Sequence, residues 1–92
     1  MRYIRVKWRH RHRDEPVMLY SELDDRRFEV RKVEVYRDGH AGYASASEEV
    51  GGTMLGLVPI PKLDEIADDP AFEPVEINAV EFEEVWSKRK AK

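Results

Sequence analysis

The chain has no cysteine. That excludes a disulfide framework, a thiolate nucleophile and a cysteine-ligated zinc site. No apolar run approaches the roughly 20 residues needed to cross a bilayer, and the charges within MRYIRVKW do not suit the apolar core of a signal peptide. We therefore expect a cytoplasmic protein with no membrane contact. Glycine is scarce, five in 92 residues. None of the five sits in a Gly-x-Ser-x-Gly elbow or in a loop followed by Lys-Ser/Thr. The glycines of GGTMLG have no lysine partner, so phosphate cradling lacks support.

What the chain does have is charge. Charged residues make up 38% of it against 41% hydrophobic, the balance of one folded domain (1–92) with a heavily charged surface. The net charge of −3 conceals an asymmetry: residues 1–46 hold eleven Lys/Arg against eight Asp/Glu, and residues 47–92 hold five against eleven. A basic half lying beside an acidic half mutes both fields, which disfavours a strong whole-protein attraction to nucleic acid.

Residues 1–47 read as an antiparallel sheet. In Arg2–Arg9, Ile4, Val6 and Trp8 alternate with Arg5, Lys7 and Arg9, the period of a half-buried strand. After a polar connector ending at Pro16, Val17–Asp24 and Phe28–Arg37 read as strands two and three. Asp38-Gly39 is a strong two-residue hairpin signal, and His40–Ser47 returns as the fourth strand. A phase slip in the third strand calls for a β-bulge near Arg31-Lys32, which would set Phe28, Val30, Val33 and Val35 on one inner face. The turn then sets Val35 opposite Gly42 and Val33 opposite Ala44, leaving room for a helix to approach closely.

Residues 48–60 read as a Gly-containing loop or short strand, and 61–92 as two helices with a Pro-containing linker over Asp68–Val75. The short helix spans Pro61–Asp68, with Leu63 and Ile66 inward. The C-terminal helix opens on Asn78 and Glu81, a capping-box variant, with Ile77 and Phe82 as its staple. Phe82, Val85 and Trp86 share one face. Lys88, Arg89, Lys90 and Lys92 suit the negative end of the macrodipole. The fold expected is α+β: a four-stranded antiparallel meander with this amphipathic helix packed on one face and the short helix beside it. Trp8 and Trp86 are both expected at that interface.

Three constellations bear on function. The basic run VKWRHRHRDEP contains His10 and His12, a His-x-His pair, but a third ligand would have to come from Asp14 or His40 and three arginines oppose a dication. A solvated connector is the better reading, with no metal and no cofactor. Glu22 and Glu29 are expected to face each other across the second hairpin, a carboxylate pair of the kind used in acid–base catalysis. Neighbouring Arg27, Arg31 and Lys32 more simply neutralise them. The third constellation is the outer sheet face, which collects Tyr3, Tyr20, Tyr36 and Tyr43 together with Arg5, Lys7, Arg9, Glu22, Glu29, Arg31 and Glu34. Tyrosines interleaved with arginines suit stacking on single-stranded nucleic acid, but the acids among them favour a plain surface or a protein partner.

The stretches EPVMLYSELDDRRFEVRKVEVYRDG, PIPKLDEI and FEPVEINAVEFEEVW resemble a family of short, single-domain bacterial cytosolic proteins of unknown function, from Tyr3 to Trp86. The resemblance implies one complete domain and supplies no catalytic residue. The leading expectation is a non-enzymatic protein-interaction module, a regulatory or toxin-neutralising partner, binding through Tyr20, Glu22, Glu29, Arg31, Glu34, Tyr36, Tyr43, Arg5 and Lys7. A weak single-stranded nucleic-acid binder using the same Tyr/Arg face is second, and an acid–base enzyme third.

Overall fold

The computed structural model describes residues Met1–Lys90; Lys92, expected near the end of the last helix, lies outside the described residues. In chain order the elements are β1 (Arg2–Trp8), β2 (Met18–Leu23), β3 (Glu29–Val35), β4 (Ala41–Ala44), β5 (Glu49–Val50), α1 (Leu63–Ala67), β6 (Phe72–Ile77) and α2 (Ala79–Ser87). The six strands form one antiparallel sheet in the order β5-β4-β3-β2-β1-β6. The α+β class holds, and the expected meander is β1 to β4. Each of its edges gains a strand. β5 pairs Val50 with Tyr43. β6 returns after α1 to lie along β1, from Tyr3 opposite Ile77 to Trp8 opposite Phe72. β6 replaces the second half of the expected linker; Pro74 fits there because half the N–H groups of an edge strand point away from the ladder.

The hairpin between β3 and β4 differs from the two-residue turn that Asp38-Gly39 suggests. Tyr36 N–H bonds to His40 O at 2.9 Å, Gly39 N–H bonds to Tyr36 O at 2.9 Å, and Gly39 takes a φ of 92°. This is a three-residue connection with glycine in the left-handed position. The pairing shifts by one residue, so Val35 faces Ala41, Glu34 faces Gly42 and Val33 faces Tyr43. A one-residue shift sends each side chain opposite a different partner and exchanges faces.

The bulge is present, slightly earlier than expected. Glu22 pairs with Arg31 but Leu23 pairs with Glu29, so Val30 is the extra residue. Without it, Glu29 and Lys32 would point to opposite sides; with it, they form an ion pair at 3.3 Å. Val33 lies with Tyr20 and Tyr43 on the other face, so Phe28, Val30, Val33 and Val35 do not form one apolar row.

Each face carries one helix. Ile4, Val6 and Leu23 form a buried core cluster against which Leu19, Ile60, Leu63, Ile66 and Phe72 pack, under α1. On the opposite face α2 lays Phe82, which has no exposed surface, against Tyr3 at 5.5 Å between ring centroids. Burying a phenylalanine contributes about 1.5–3 kcal/mol. The two tryptophans part company. Trp86 packs edge-on to Tyr43 beneath α2, whereas Trp8 stacks on Phe72 beside β6. The Asn78 side chain caps α2 by accepting Glu81 N–H at 2.8 Å. Glu81 does not complete the box: its carboxylate bonds Arg5 at 3.0 Å. Among the described residues no helix is long and apolar enough to cross a membrane.

Candidate functional site

The structure divides the nine residues expected on one open face. Arg5, Tyr20, Glu22, Arg31 and Tyr43 lie on the side that α2 covers, so the expected outer face is largely an inner one. Arg31 is its centre. Its guanidinium grips Glu22 with two bonds, at 2.6 and 3.0 Å, and reaches Glu83 of α2 at 3.1 Å. It also lies over the Phe82 and Trp86 rings, 5.0 and 5.1 Å from their centroids. Arg89 stacks on Trp86 at 4.0 Å and pairs with Glu48.

The electrostatics follow from this geometry. The Arg31 bonds hold both Glu22 and Glu83 below the usual carboxylate range. Burial pushes the Tyr3 phenol up, helped by the Glu22 carboxylate, and burial pushes Tyr20 up as well. The charged groups Arg5, Glu22, Arg31, Glu83 and Arg89 are each in an ion pair, and among buried side-chain atoms of the described residues only Nε of Arg89 is left without a hydrogen-bond partner. The cluster is a clamp that fastens α2 to the sheet, and it presents little free surface to a ligand.

Of the remaining four, Lys7 shares the side of Arg5 but is exposed near the end of β1. Tyr36 stacks on His40 at the β3–β4 hairpin, with ring centroids 4.4 Å apart. Glu29 and Glu34 turn to the α1 face. Glu22 and Glu29 therefore sit on opposite sides of the sheet, which removes the expected carboxylate pair; the cause is the turn in which Asp24 N–H bonds Phe28 O at 3.0 Å, which sets Glu29 opposite Leu23. The His-x-His reading changes too. The Nε2 of His10 contacts Pro16 O at 2.7 Å and its Nδ1 accepts His12 N–H at 2.9 Å, so local backbone occupies both ring nitrogens.

The α1 face holds a feature that sequence reasoning missed: an open cavity of about 370 Å³. Ile4, Val6 and Leu19 make its floor, Ile60, Ile66 and Phe72 its walls, and Glu65 and Asp69 line it from the α1 side. At its polar end the Glu29 side chain, 2% exposed, accepts Ser21 O–H at 2.9 Å, Gly56 N–H at 2.7 Å and the Lys32 ammonium at 3.3 Å. Such a buried acid is tolerated because each oxygen is engaged. An apolar cavity of this size with a few convergent polar groups has the general character of a binding site.

The segment 51–61 lines the cavity with Ile60 and Pro61 at its end and is tied down at both ends. Thr53, fully buried, donates to Glu34 at 2.7 Å. It sits directly over Gly42, where a Cβ would collide with its hydroxyl. At the other end Arg27, whose φ is 67°, donates to Ile60 O at 2.8 Å and to Pro61 O at 2.7 Å. Between these anchors Met54, Leu57 and Val58 are exposed, Leu57 to 91%. The sequence carried one signal of this: residues 50–61 contain no charge, in a chain that is 38% charged.

Domain of unknown function (DUF6881) is the family that matches, over residues 2–91. The chain belongs to this family. It matches no curated protein and no solved structure. Family membership thus spans both covered faces of the sheet and assigns a role to neither.

Proposed function

We propose that the protein is a non-enzymatic interaction module, a regulatory or neutralising partner of another protein, that works through its α1 face. The cavity receives an apolar side chain of the partner polypeptide, and exposed Met54, Leu57 and Val58 widen the contact. The observation that carries this reading is an apolar cavity opening beside an exposed apolar loop, because monomeric proteins seldom expose contiguous apolar surface without a partner for it. A non-enzymatic role is supported by the polar end, where Ser21 gives its hydrogen to a carboxylate already held by an ammonium and an amide. A bacterial, cytoplasmic setting, expected from the sequence, stays part of the proposal. The single-stranded nucleic-acid alternative has less support, since stacking needs open ring faces and Tyr3 and Tyr43 lie against Phe82 and Trp86.

Panning a random-peptide library on the immobilised protein tests the reading. Enriched sequences are expected to share an apolar residue, and to lose binding to Leu19→Phe, which fills the cavity, and to Leu57→Asp. Enriched peptides that bind both variants as well as wild type would place the site elsewhere.

A further inference from the structure

Resting on that reading, we infer that the polypeptide segment seated in the cavity is basic, with Lys or Arg beside its apolar anchor. The two halves of the mouth differ in chemistry. Residues 50–61, of which Ile60 and Pro61 line the cavity, are uncharged, while residues 64–69 hold four acids, of which Glu65 and Asp69 line it. Lys32 is the cation lining it, and it is already spent on Glu29, Glu34 and the Met54 carbonyl.

Most acids of the sheet and of α2 have their own cations; among the described residues Glu49 and Glu84 there form no ion pair. Arg2 pairs with Glu76, Arg5 with Glu81, Arg9 with Glu73, and Arg31 with Glu22 and Glu83. Among the described residues Asp64, Glu65, Asp68 and Asp69 form no ion pair. Carboxylates at the edge of an apolar concavity act through low-dielectric walls, which focus their field on whatever enters. An apolar side chain with an adjacent cation satisfies both halves of the mouth at once.

A second copy of this chain fits less well. A twofold contact brings the same patch together from each subunit, and here that would set one acidic segment against another. A basic partner removes the repulsion and makes the acids useful.

The test titrates the ¹⁵N-labelled full chain with three synthetic hexapeptides. One has Leu-Phe at its centre flanked by two lysines on each side, one has the same centre flanked by glutamines, and one has Ala-Ala between the lysines. The lysine-flanked Leu-Phe peptide is expected to shift the amides of Leu19, Ser21, Ile66 and Phe72. It should bind about five- to tenfold more tightly than the glutamine version, the contribution of two partly exposed ion pairs. The advantage should shrink in high salt and vanish in a Glu65→Gln, Asp69→Asn double variant; asparagine keeps the oxygen that accepts Ala71 N–H at position 69.

Equal binding of the lysine and glutamine peptides at the cavity overturns the basic preference and leaves the apolar site standing. Failure of both Leu-Phe peptides to move cavity amides overturns the site itself. Binding of the Ala-Ala peptide as tightly as the lysine-flanked Leu-Phe peptide shows that exposed charge alone attracts, which also overturns the inference. Concentration-dependent shifts of the same amides without peptide would identify a second copy as the occupant and overturn it as well.

Discussion

Arg31 is the residue on which the α2 face depends. It is the only cation within hydrogen-bond reach of the buried Glu22 among the described residues, and it holds Glu83 from the helix above. Removing one member of a buried pair costs about 3–5 kcal/mol, because the other charge is left without compensation. Arg31 keeps 20% of its side chain exposed, so the lower end of that range applies. We expect Arg31→Ala to lose about 3 kcal/mol in urea unfolding, and Glu22→Gln to lose less. A loss below about 1 kcal/mol, the scale of a surface pair, would contradict the clamp.

The same pairing sets an acid limb. Glu22 and Glu83 titrate lower in the folded protein than their ordinary value of 4.5, so between the two values the unfolded chain binds more protons. Stability from these groups is complete above pH 4.5 and is lost as pH falls through the folded values. Glu83 is more than half exposed, and solvent screening leaves Glu22 the larger share. Unfolding measured from pH 6 to about pH 2 should show this decline in wild type and a shallower one in Arg31→Met. Tyr3 and Tyr20 act at the other end. Their raised values make the fold lose stability as pH rises above 10.

At the scale of elements, the segment 51–61 is best understood by how it is seated. Thr53 packs over Gly42 so closely that no side chain fits between them. Gly42→Ala should therefore cost about 1–3 kcal/mol by overpacking. Combined with Thr53→Ala, which removes the colliding hydroxyl, it should cost less than the two single changes together. A double-mutant cycle by urea unfolding measures that coupling; strict additivity would mean the loop is seated differently.

The elements also show what was legible in the sequence. β1 to β4, α1 and the Asn78 cap of α2 follow from local patterns: alternation, a proline near a helix start, a capping side chain. The faces did not follow. Three displacements of a single position decide them: the turn closed by Asp24 and Phe28 sets the side of Glu29, the bulge at Val30 sets Glu29 against Arg31 to Val35, and the three-residue turn at Asp38-Gly39 sets the sides of Gly42 and Tyr43. The bulge showed in the alternation as a phase slip, one position off; the lengths of the turns left no such mark, because they are chosen by pairing across strands. β6 was hidden by Pro70 and Pro74, which read as linker until an edge position makes Pro74 acceptable.

For the whole molecule, the sheet is a partition. One face is closed by α2 through aromatic stacking and a satisfied guanidinium, and the other is only partly roofed by the five-residue α1 and the segment 51–61. The tyrosine–arginine pattern that drew attention in the sequence contributes to stability, by holding the C-terminal helix. The basic run at residues 9–13 begins with Arg9, which pairs with Glu73, and passes through His10, which is held by backbone. The open apolar concavity with an acidic side is left as the face available to a partner.

The most direct test compares the two faces with one ligand. A peptide selected by panning on the wild-type protein is titrated calorimetrically into Leu19→Phe, which fills the cavity, and into Val80→Asp, which alters an exposed position on α2. The melting transition of each variant first confirms its fold. Leu19→Phe is expected to abolish binding and Val80→Asp to leave it unchanged. Binding lost on Val80→Asp and retained on Leu19→Phe would place the partner on the α2 face instead.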